Sequence, residues 1–272
     1  MSPHGSTVCG MPNSLEVEND GRLRVLRLNR PERKNALDGE LLRAITDDLR
    51  DAAQDDDVWA LGLTGNGDAF CSGLDLAANE SDDDGADGTS SDDTADHFAF
   101  VMRVECEKPI LAGVNGIAVG IGVSLAMAAD FRIAAPSARF HPGYARVATS
   151  PDGGATLTVS QAIGYERAMR FFLEQRMVSA TEARDLGLVG EVAESDAEFE
   201  DRFLAYGRML ARVAPIAAQQ TKRLVSRVTT PADFRTHLDE EIRLALHGLS
   251  TEDSVAAIRA MTTKGSPQFK GR

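Results

Sequence analysis

A stretch without a charged residue, from Ile110 to Ala129, constrains the fold of this chain more than any other feature. Its 20 residues match the length of a transmembrane helix. Four of them are glycines, all in the first two thirds of the stretch, and Pro109 and Asp130 bound it. Lipid-facing segments rarely carry so much glycine at one end. A buried strand, a tight glycine turn and a buried helix explain the stretch better than a membrane span does.

Other segments extend this alternation of strands and helices. Leu23–Leu28 is rich in Leu and Val and predicts an antiparallel strand. Asp38 is a suitable N-cap for a helix whose apolar residues recur every three or four positions until about Asp55. Val58–Thr64 and Phe131–Ala134 are apolar runs of strand length. Together they predict an α/β fold, with helices packed against sheet.

The charge balance bears on possible partners. The formal net charge is −13, from 42 acidic and 29 basic side chains. Such a surface repels phosphate backbones and anionic lipid headgroups, so we expect neither nucleic acid nor a membrane as a partner. Eight of the acids lie between Glu80 and Asp96. We expect a mobile acidic loop at 79–96, because this segment has little apolar area to bury, and a flexible tail at 1–13.

The cysteines and histidines argue against two classes of site. Three scattered cysteines are too few for a secreted disulfide framework, which favours a cytoplasmic location. The five histidines form no metal-spaced pair, so we expect no metal site. Gly120-Ile121-Gly122 begins like a dinucleotide-binding fingerprint, but the position of its third glycine holds Leu125. The fingerprint is therefore incomplete.

Ser124 lies in a Gly-x-Ser-x-Ala segment close to the nucleophile elbow of serine hydrolases. Asp196 and His237 follow it in the chain as potential triad partners. A serine that simply fills a small space in a buried helix explains the same segment. A serine hydrolase is therefore an alternative from another functional class.

Two glycine turns, each at the end of an apolar strand, give a stronger indication. One is the segment from Ala69 to Leu76, and the other runs from Asn115 to Gly122. Glycine allows close backbone approach to a ligand, and the first N–H groups of a helix lack intrahelical partners. Two such turns side by side would direct two N–H donors at one oxygen atom, which is an oxyanion hole. Either turn alone is also typical of an ordinary strand end.

Six motifs run along the chain in a fixed order. They are Asn29-Arg30-Pro31, Asn35-Ala36-Leu37, Ala69-Phe70-Cys71-Ser72-Gly73-Leu74-Asp75-Leu76, Pro109 through Asn115-Gly116 to Gly122, Ala180-Glu182-Ala183 with Gly187-Leu188-Val189, and Pro267-Gln268-Phe269. From about Leu15 to the C-terminus, the chain resembles the enoyl-CoA hydratase/isomerase (crotonase) superfamily.

The resemblance implies a crotonase-like spiral of ββα units over residues 14–210 and a helical C-terminal region over residues 211–272. That region would assemble a homotrimer or a dimer of trimers. The implied substrate is an acyl-CoA thioester, so that CoA arrives with the substrate and no separate cofactor is expected. The main-chain N–H groups of Leu74 and Ile121 would then polarise the thioester carbonyl.

Further residues are implied to bind the substrate. Those assigned to CoA are Lys34, Ala36, Leu37, Ala69, Asp75, Leu76, Gly120, Phe269 and Lys270; those assigned to the acyl pocket are Ser124, His141 and Tyr144. A cation at Lys34 suits a phosphate, although a solvated loop explains it equally well. In the family, the residues that match Phe269 and Lys270 sometimes reach the CoA bound to a neighbouring subunit.

The chain departs from the hydratase pattern at two places. Hydratases of this family carry two glutamates that activate and protonate water, and the matching positions hold Ser124 and Tyr144. A neutral hydroxyl is a poor base, since the ordinary pKa of Tyr is about 10. Asp152, in Pro151-Asp152-Gly153, matches the working aspartate of some isomerases and dehalogenases of the superfamily. A plain Pro-Asp-Gly turn is the alternative explanation for that segment.

We therefore predict an enoyl-CoA isomerase that moves a double bond through a thioester enolate, with Asp152 as the proton carrier. An enoyl-CoA hydratase is the nearest alternative. A noncatalytic acyl-CoA-binding relative is also compatible with the loss of both glutamates.

Overall fold

Strands and helices alternate along the parts of the chain that the computed structural model describes, which are residues 14–75, 97–263 and 265–271. In order, the strands are β1 (Leu15–Asp20), β2 (Leu23–Leu28), β3 (Ala60–Gly65), β4 (Ala69–Cys71), β5 (Ile110–Val114), β6 (Ile117–Val119), β7 (Phe131–Ala134), β8 (Arg139–His141), β9 (Val178–Ser179) and β10 (Glu191–Val192). The α-helices are α1 (Gly39–Gln54), α2 (Phe98–Phe100), α3 (Ile121–Ala128), α4 (Ala155–Ile163), α5 (Tyr165–Glu174), α6 (Ala180–Leu186), α7 (Phe199–Leu210), α8 (Pro215–Thr229), α9 (Phe234–Leu249) and α10 (Glu252–Thr263). The predicted tail at 1–13 and loop at 79–96 lie outside the described residues.

The predicted helix after Asp38 is confirmed as α1. The Asp38 side chain accepts a hydrogen bond from Leu41 N at 2.8 Å, which caps the helix as its sequence suggests. The apolar face buries Leu41, Ile45 and Leu49, and the helix ends at Gln54. A capping residue and one apolar stripe therefore suffice to set both the start and the orientation of this helix.

The uncharged stretch does not form a membrane span. It contains β5, the short strand β6 and α3, so the predicted strand, turn and helix are confirmed, with an additional strand inside the turn. Within the described residues, every helix is too short or too polar to cross a bilayer.

Two sheets form the core of an α/β spiral, which confirms the expected fold class. The larger sheet has the strand order β1-β2-β3-β5-β7-β10, and the smaller one the order β4-β6-β8-β9. Consecutive strands alternate between the sheets: β3 and β4, β5 and β6, and β7 and β8 each contribute one strand to each sheet. A helix follows each pair, which gives the repeated ββα unit of the spiral.

The predicted antiparallel strand at Leu23–Leu28 is confirmed as β2, which pairs antiparallel with β1. On its other edge β2 pairs parallel with β3, so it joins the N-terminal hairpin to the spiral. Further along the chain, the short strand β10 lies between helices α6 and α7. β10 pairs with β7, a contact between distant segments that local sequence does not reveal.

The larger sheet packs against α7 on its outer face through Phe203. A Cβ atom at Gly62 or Gly113 would lie 2.8 or 2.5 Å from the Phe203 ring, so glycine is required beneath it. The main core lies between the two sheets and the inner helices and includes Leu37, Phe70 and Phe140.

Candidate active site

The candidate site lies where three parallel strands of the smaller sheet end. β4, β6 and β8 are parallel neighbours, so their carboxyl ends meet at one edge of the sheet. In α/β proteins, ligands bind outside such an edge. The segments after these strands carry Leu74, Ile121 and Tyr144, which line a common cavity of about 170 Å³.

The remaining wall of this cavity is largely apolar. It includes the side chains of Val119, Val147, Ala245, Leu249 and Met261. The last three belong to α9 and α10, so the C-terminal helices close the cavity over the strand ends. An apolar cavity with a few polar groups is typical of a small-molecule site.

The two glycine turns contact each other at this edge. A Cβ at Gly122 would lie 2.4 Å from the carbonyl oxygen of Cys71, and one at Gly73 would lie 3.2 Å from that of Val119. Gly73 also has a φ of +108°, which favours glycine. Within the described residues, the main-chain N–H groups of Leu74 and Ile121 donate no hydrogen bond. Two residues with unpaired main-chain N–H groups in the described structure therefore line the same cavity.

Asp152 lines the same cavity and carries an unpaired carboxylate oxygen. Its Oδ1 is buried and has no hydrogen-bond partner among the described residues. Burial, together with the negative charge of Glu241, raises the pKa of Asp152 from 3.8 to about 7. The carboxyl group can therefore both accept and release a proton near neutral pH.

Ser124 and Tyr144 support the segment that bears Asp152. Ser124 Oγ donates to the main-chain carbonyl of Asp152 at 2.9 Å and shares a short hydrogen bond with Tyr144 Oη. Ser124 is fully buried, and burial raises the pKa of Tyr144 well above its ordinary value. Both hydroxyls are therefore neutral and engaged in holding the Asp152 backbone.

The proposed hydrolase triad is not assembled in this geometry. The Asp196 side chain accepts from Ser137 N, and His237 contacts Thr156 and Glu241. In the described part of the chain, no histidine contacts Ser124.

Glu241, which the sequence analysis did not single out, lies beneath the Asp152 segment. Its carboxylate accepts hydrogen bonds from the N–H groups of Gly154 at 2.7 Å and Thr156 at 3.2 Å. Glu241 is only 4% exposed. The sequence did hold a signal: Glu241 occupies the apolar face of α9, on which Phe234 and Leu238 are buried. A glutamate on such a face is unusual unless it has buried partners.

His141 lines the cavity wall, as predicted for the acyl pocket. Its Nε2 hydrogen-bonds to the carbonyl of Gln175 at 2.9 Å, and burial lowers its pKa. It is therefore a neutral group of the wall. Among the described residues, no cluster of three or more His, Cys, Asp or Glu side chains is suited to a metal ion.

The residues predicted to bind CoA near the N-terminus lie beside the cavity. Lys34 forms an exposed ion pair with Asp68 at 3.1 Å, while Ala36 and Leu37 are buried. Ala69 is also buried, in β4. Their contact with CoA stays a prediction.

Asp75 is held by arginines. Its carboxylate pairs with Arg30 at 2.8 Å and with Arg33 at 3.5 Å, and it is nearly buried. Asp75 N also donates to the carbonyl of Leu37, which ties the first glycine turn to the preceding loop. Asp75 thus fixes the turn that carries Leu74.

The predicted C-terminal contacts lie apart from the cavity wall. Lys270 N donates to Asp253 Oδ1 at 2.6 Å, and the Lys270 ammonium pairs with Glu252 at 3.3 Å. Phe269 is exposed. Leu76, also predicted to bind CoA, lies outside the described residues.

Gly120, the remaining residue predicted to bind CoA, lines the cavity, with a φ of +54°.

Comparisons with known proteins show the family to which the chain belongs. The profile of the family described as Enoyl-CoA hydratase/isomerase matches residues 18–272. A 2,3-dehydroadipyl-CoA hydratase from Escherichia coli is 32% identical over 96% of this chain and 100% of that protein. A 1,2-epoxyphenylacetyl-CoA isomerase from the same organism is 31% identical over 91% of this chain and 94% of that protein.

Solved structures show the same fold. A crystal structure of an enoyl-CoA hydratase/isomerase from Pseudoalteromonas atlantica has a TM-score of 0.85 at 31% identity, over 95% of this chain and all (100%) of that chain. A carnitinyl-CoA hydratase from Mycobacterium avium has a TM-score of 0.84 at 28% identity, over 96% of this chain and 100% of that chain. The chain therefore belongs to the enoyl-CoA hydratase/isomerase family.

Proposed function

We propose that this protein is an enoyl-CoA isomerase that moves a carbon–carbon double bond next to a CoA thioester. One observation carries the proposal: Asp152, whose buried Oδ1 has no hydrogen-bond partner among the described residues, lines the same cavity as Leu74 and Ile121, whose main-chain N–H groups are unpaired there. A thioester carbonyl bound by both N–H groups would place its α-carbon within the cavity that Asp152 lines.

The reaction follows from this arrangement. Asp152 takes a proton from C2 of a 3-enoyl thioester, and the electron pair moves into the carbonyl to give a dienolate. The two N–H groups hold the negative oxygen, and each such donor is worth about 3 kcal/mol in measured oxyanion holes. Protonated Asp152 then returns the proton to C4, which yields the conjugated 2-enoyl thioester. One carboxyl group with a pKa of about 7 serves both steps.

The positions of Ser124 and Tyr144 favour isomerisation over hydration. Two carboxylates are expected for water addition, whereas these hydroxyls are buried and bonded to each other and to the Asp152 carbonyl. A hydratase is the second candidate, because relatives at 32 and 33% identity are named as hydratases.

Binding of the CoA portion by Lys34, Ala36, Leu37, Ala69, Asp75, Leu76, Gly120, Phe269 and Lys270 belongs to the same proposal. Assembly into a homotrimer or a dimer of trimers is also proposed. Its support is the outer face of α8, on which Ile216, Leu224 and Val228 are exposed. Such apolar faces are typical of surfaces that associate. Sedimentation equilibrium of the purified protein tests this part, and a monomer would contradict it.

Asp152→Asn tests the assignment of the base. The variant keeps the size of the side chain but removes the proton acceptor, so we expect turnover of a short-chain 3-enoyl-CoA to fall by about 10²-fold or more. CoA ester binding, measured by calorimetry, should be retained. The matched control is Asp47→Asn, an exposed aspartate of α1. Unchanged turnover in Asp152→Asn would refute the mechanism.

The same assay separates the alternatives. Hydration of crotonyl-CoA by the wild-type protein, without isomerisation, would identify a hydratase. Labelling of Ser124 by a fluorophosphonate would favour the hydrolase. Binding of both esters without any product would indicate a noncatalytic relative.

A further inference from the structure

We propose that Glu241 is a positioning residue for Asp152: it anchors the segment that carries Asp152 and places a second negative charge beside it. The inference rests on the proposed function, in which Asp152 is the base.

The anchor is formed by main-chain contacts. Glu241 accepts from Gly154 N and Thr156 N through its two carboxylate oxygens, and the Thr156 hydroxyl also donates to it. Gly154 and Thr156 flank the first residue of α4, so the carboxylate binds the helix N-terminus, where negative charge is stabilised. Asp152 lies two residues before Gly154, so the contact of Gly154 with Glu241 ties the Asp152 segment to α9.

The backbone at this point requires an external anchor. Gly153 and Gly154 both have positive φ, at +65° and +77°, and α4 has no side-chain cap of its own in the described structure. Two consecutive glycines give a flexible segment. Two sets of hydrogen bonds fix its conformation. Glu241 accepts from Gly154 N, and Ser124, which is bonded to Tyr144, donates to the carbonyl of Asp152.

The charge of Glu241 has a separate effect. Among the described residues, two side chains affect the pKa of Asp152: the charge of Glu241 from α9 raises it, and a hydrogen bond from Tyr144, in the short 3-10 helix Tyr144–Val147, lowers it. Tyr144 is neutral, so Glu241 supplies the neighbouring charge. Like charges disfavour ionisation, so Glu241 adds to burial in raising the pKa of Asp152. A carboxyl with a higher pKa is the stronger base once it is ionised.

His237 faces Glu241 from the preceding turn of α9. Its Nε2 lies 3.2 Å from Glu241 Oε1 and 2.8 Å from Thr156 Oγ1. Its side chain is partly exposed, at 41%. A permanent cation at this position would offset part of the Glu241 charge without disturbing the buried carboxylate itself.

The first experiment is the pH profile of kcat/KM for a short-chain 3-enoyl-CoA. In the wild-type protein we expect activity to rise as Asp152 ionises, with an acid limb near pH 7. Glu241→Gln keeps the shape but removes the charge, so the limb should move to lower pH by about one pH unit and the plateau rate should fall. Glu241→Asp keeps the charge and should retain the limb near the wild-type pH. A purely structural role would lower rates at every pH and leave the limb in place.

Two further variants keep the test decisive if Glu241→Gln does not fold. His237→Lys should move the limb to lower pH, whereas His237→Gln should not. Glu240→Gln is the matched control, because the neighbouring Glu240 is exposed and paired with Arg243. Loss of the limb in His237→Gln would show that the limb belongs to His237 and would overturn the inference.

Failure of the inference is distinguishable from failure of the proposed function. If Asp152→Asn abolishes turnover but neither Glu241→Gln nor His237→Lys moves the limb, only the role of Glu241 is refuted. If Asp152→Asn leaves turnover unchanged, the proposed function is refuted. Infrared difference spectra of the free protein, with Asp152→Asn as reference, give the Asp152 titration without any substrate. In those spectra, an unchanged titration in Glu241→Gln would also overturn the inference.

Discussion

Replacing Asp152 by Asn should make the folded protein more stable at neutral and alkaline pH. Burial raises the pKa of this carboxyl from 3.8 to about 7, so the folded state binds a proton more tightly than the unfolded state. Each pH unit of difference corresponds to about 1.4 kcal/mol, so ionised Asp152 costs up to about 4 kcal/mol above pH 7. The favourable contribution of the protonated form is complete below about pH 4 and is lost as the pH rises through 7.

Urea denaturation at pH 5 and pH 8, at a fixed protein concentration, measures this effect. Between these values, the free energy of unfolding of the wild-type protein should fall by about 3 kcal/mol relative to that of Asp152→Asn. Asp47→Asn, on the exposed face of α1, should follow the wild-type protein. If the free energies of unfolding of wild type and Asp152→Asn changed equally with pH, the pKa of Asp152 would not be raised in the folded protein. The argument that Asp152 is a base near neutral pH would then fail.

Two further substitutions test the support of the Asp152 segment. Ser124→Ala removes the hydrogen bond to the Asp152 carbonyl and should lower the free energy of unfolding by about 1 to 3 kcal/mol, measured by urea denaturation. Its turnover should stay within about tenfold of wild type, and a near-complete loss would instead support Ser124 as a nucleophile. Gly153→Ala places a Cβ 2.7 Å from that of Ser124 and 2.9 Å from Phe98 Cζ, so it should cost about 2 to 4 kcal/mol by the same measurement. Gly21 is the matched control, because it has a similar φ of +62° and no described atom lies within 4 Å of its added Cβ. Gly21→Ala should lower the free energy of unfolding by about 1 kcal/mol. Equal losses for the two variants would contradict the contact of Gly153 with Ser124 and Phe98.

Local sequence predicted the elements whose causes are local. Asp38 and the apolar stripe after it set the bounds of α1, and the glycines of the uncharged stretch separated β5 from α3. The six ordered motifs predicted the family, and the two that contain the glycine turns lie at strand ends, where few residue types fit. Asp152 was predicted as the proton carrier in the same way, from its place in a motif.

Strand pairing could not be predicted in the same way. The Leu- and Val-rich pattern of Leu23–Leu28 predicts a strand, but it does not show which strands will be its neighbours. β2 joins an antiparallel hairpin to a parallel sheet, and β10 pairs with β7 across a long connection. These contacts depend on how the spiral closes.

The amino-acid sequence alone predicted several strands of the spiral, its two glycine turns and a carboxyl group in a motif of the family. The tertiary structure decided what that carboxyl group can do. Glu241 arrives from a helix far along the chain to bind Gly154 N, and burial leaves Oδ1 of Asp152 unpaired among the described residues. Proton affinity depends on solvent exclusion and on the distance to other charges. Both are properties of packing between distant segments, so they exist only once the chain has folded.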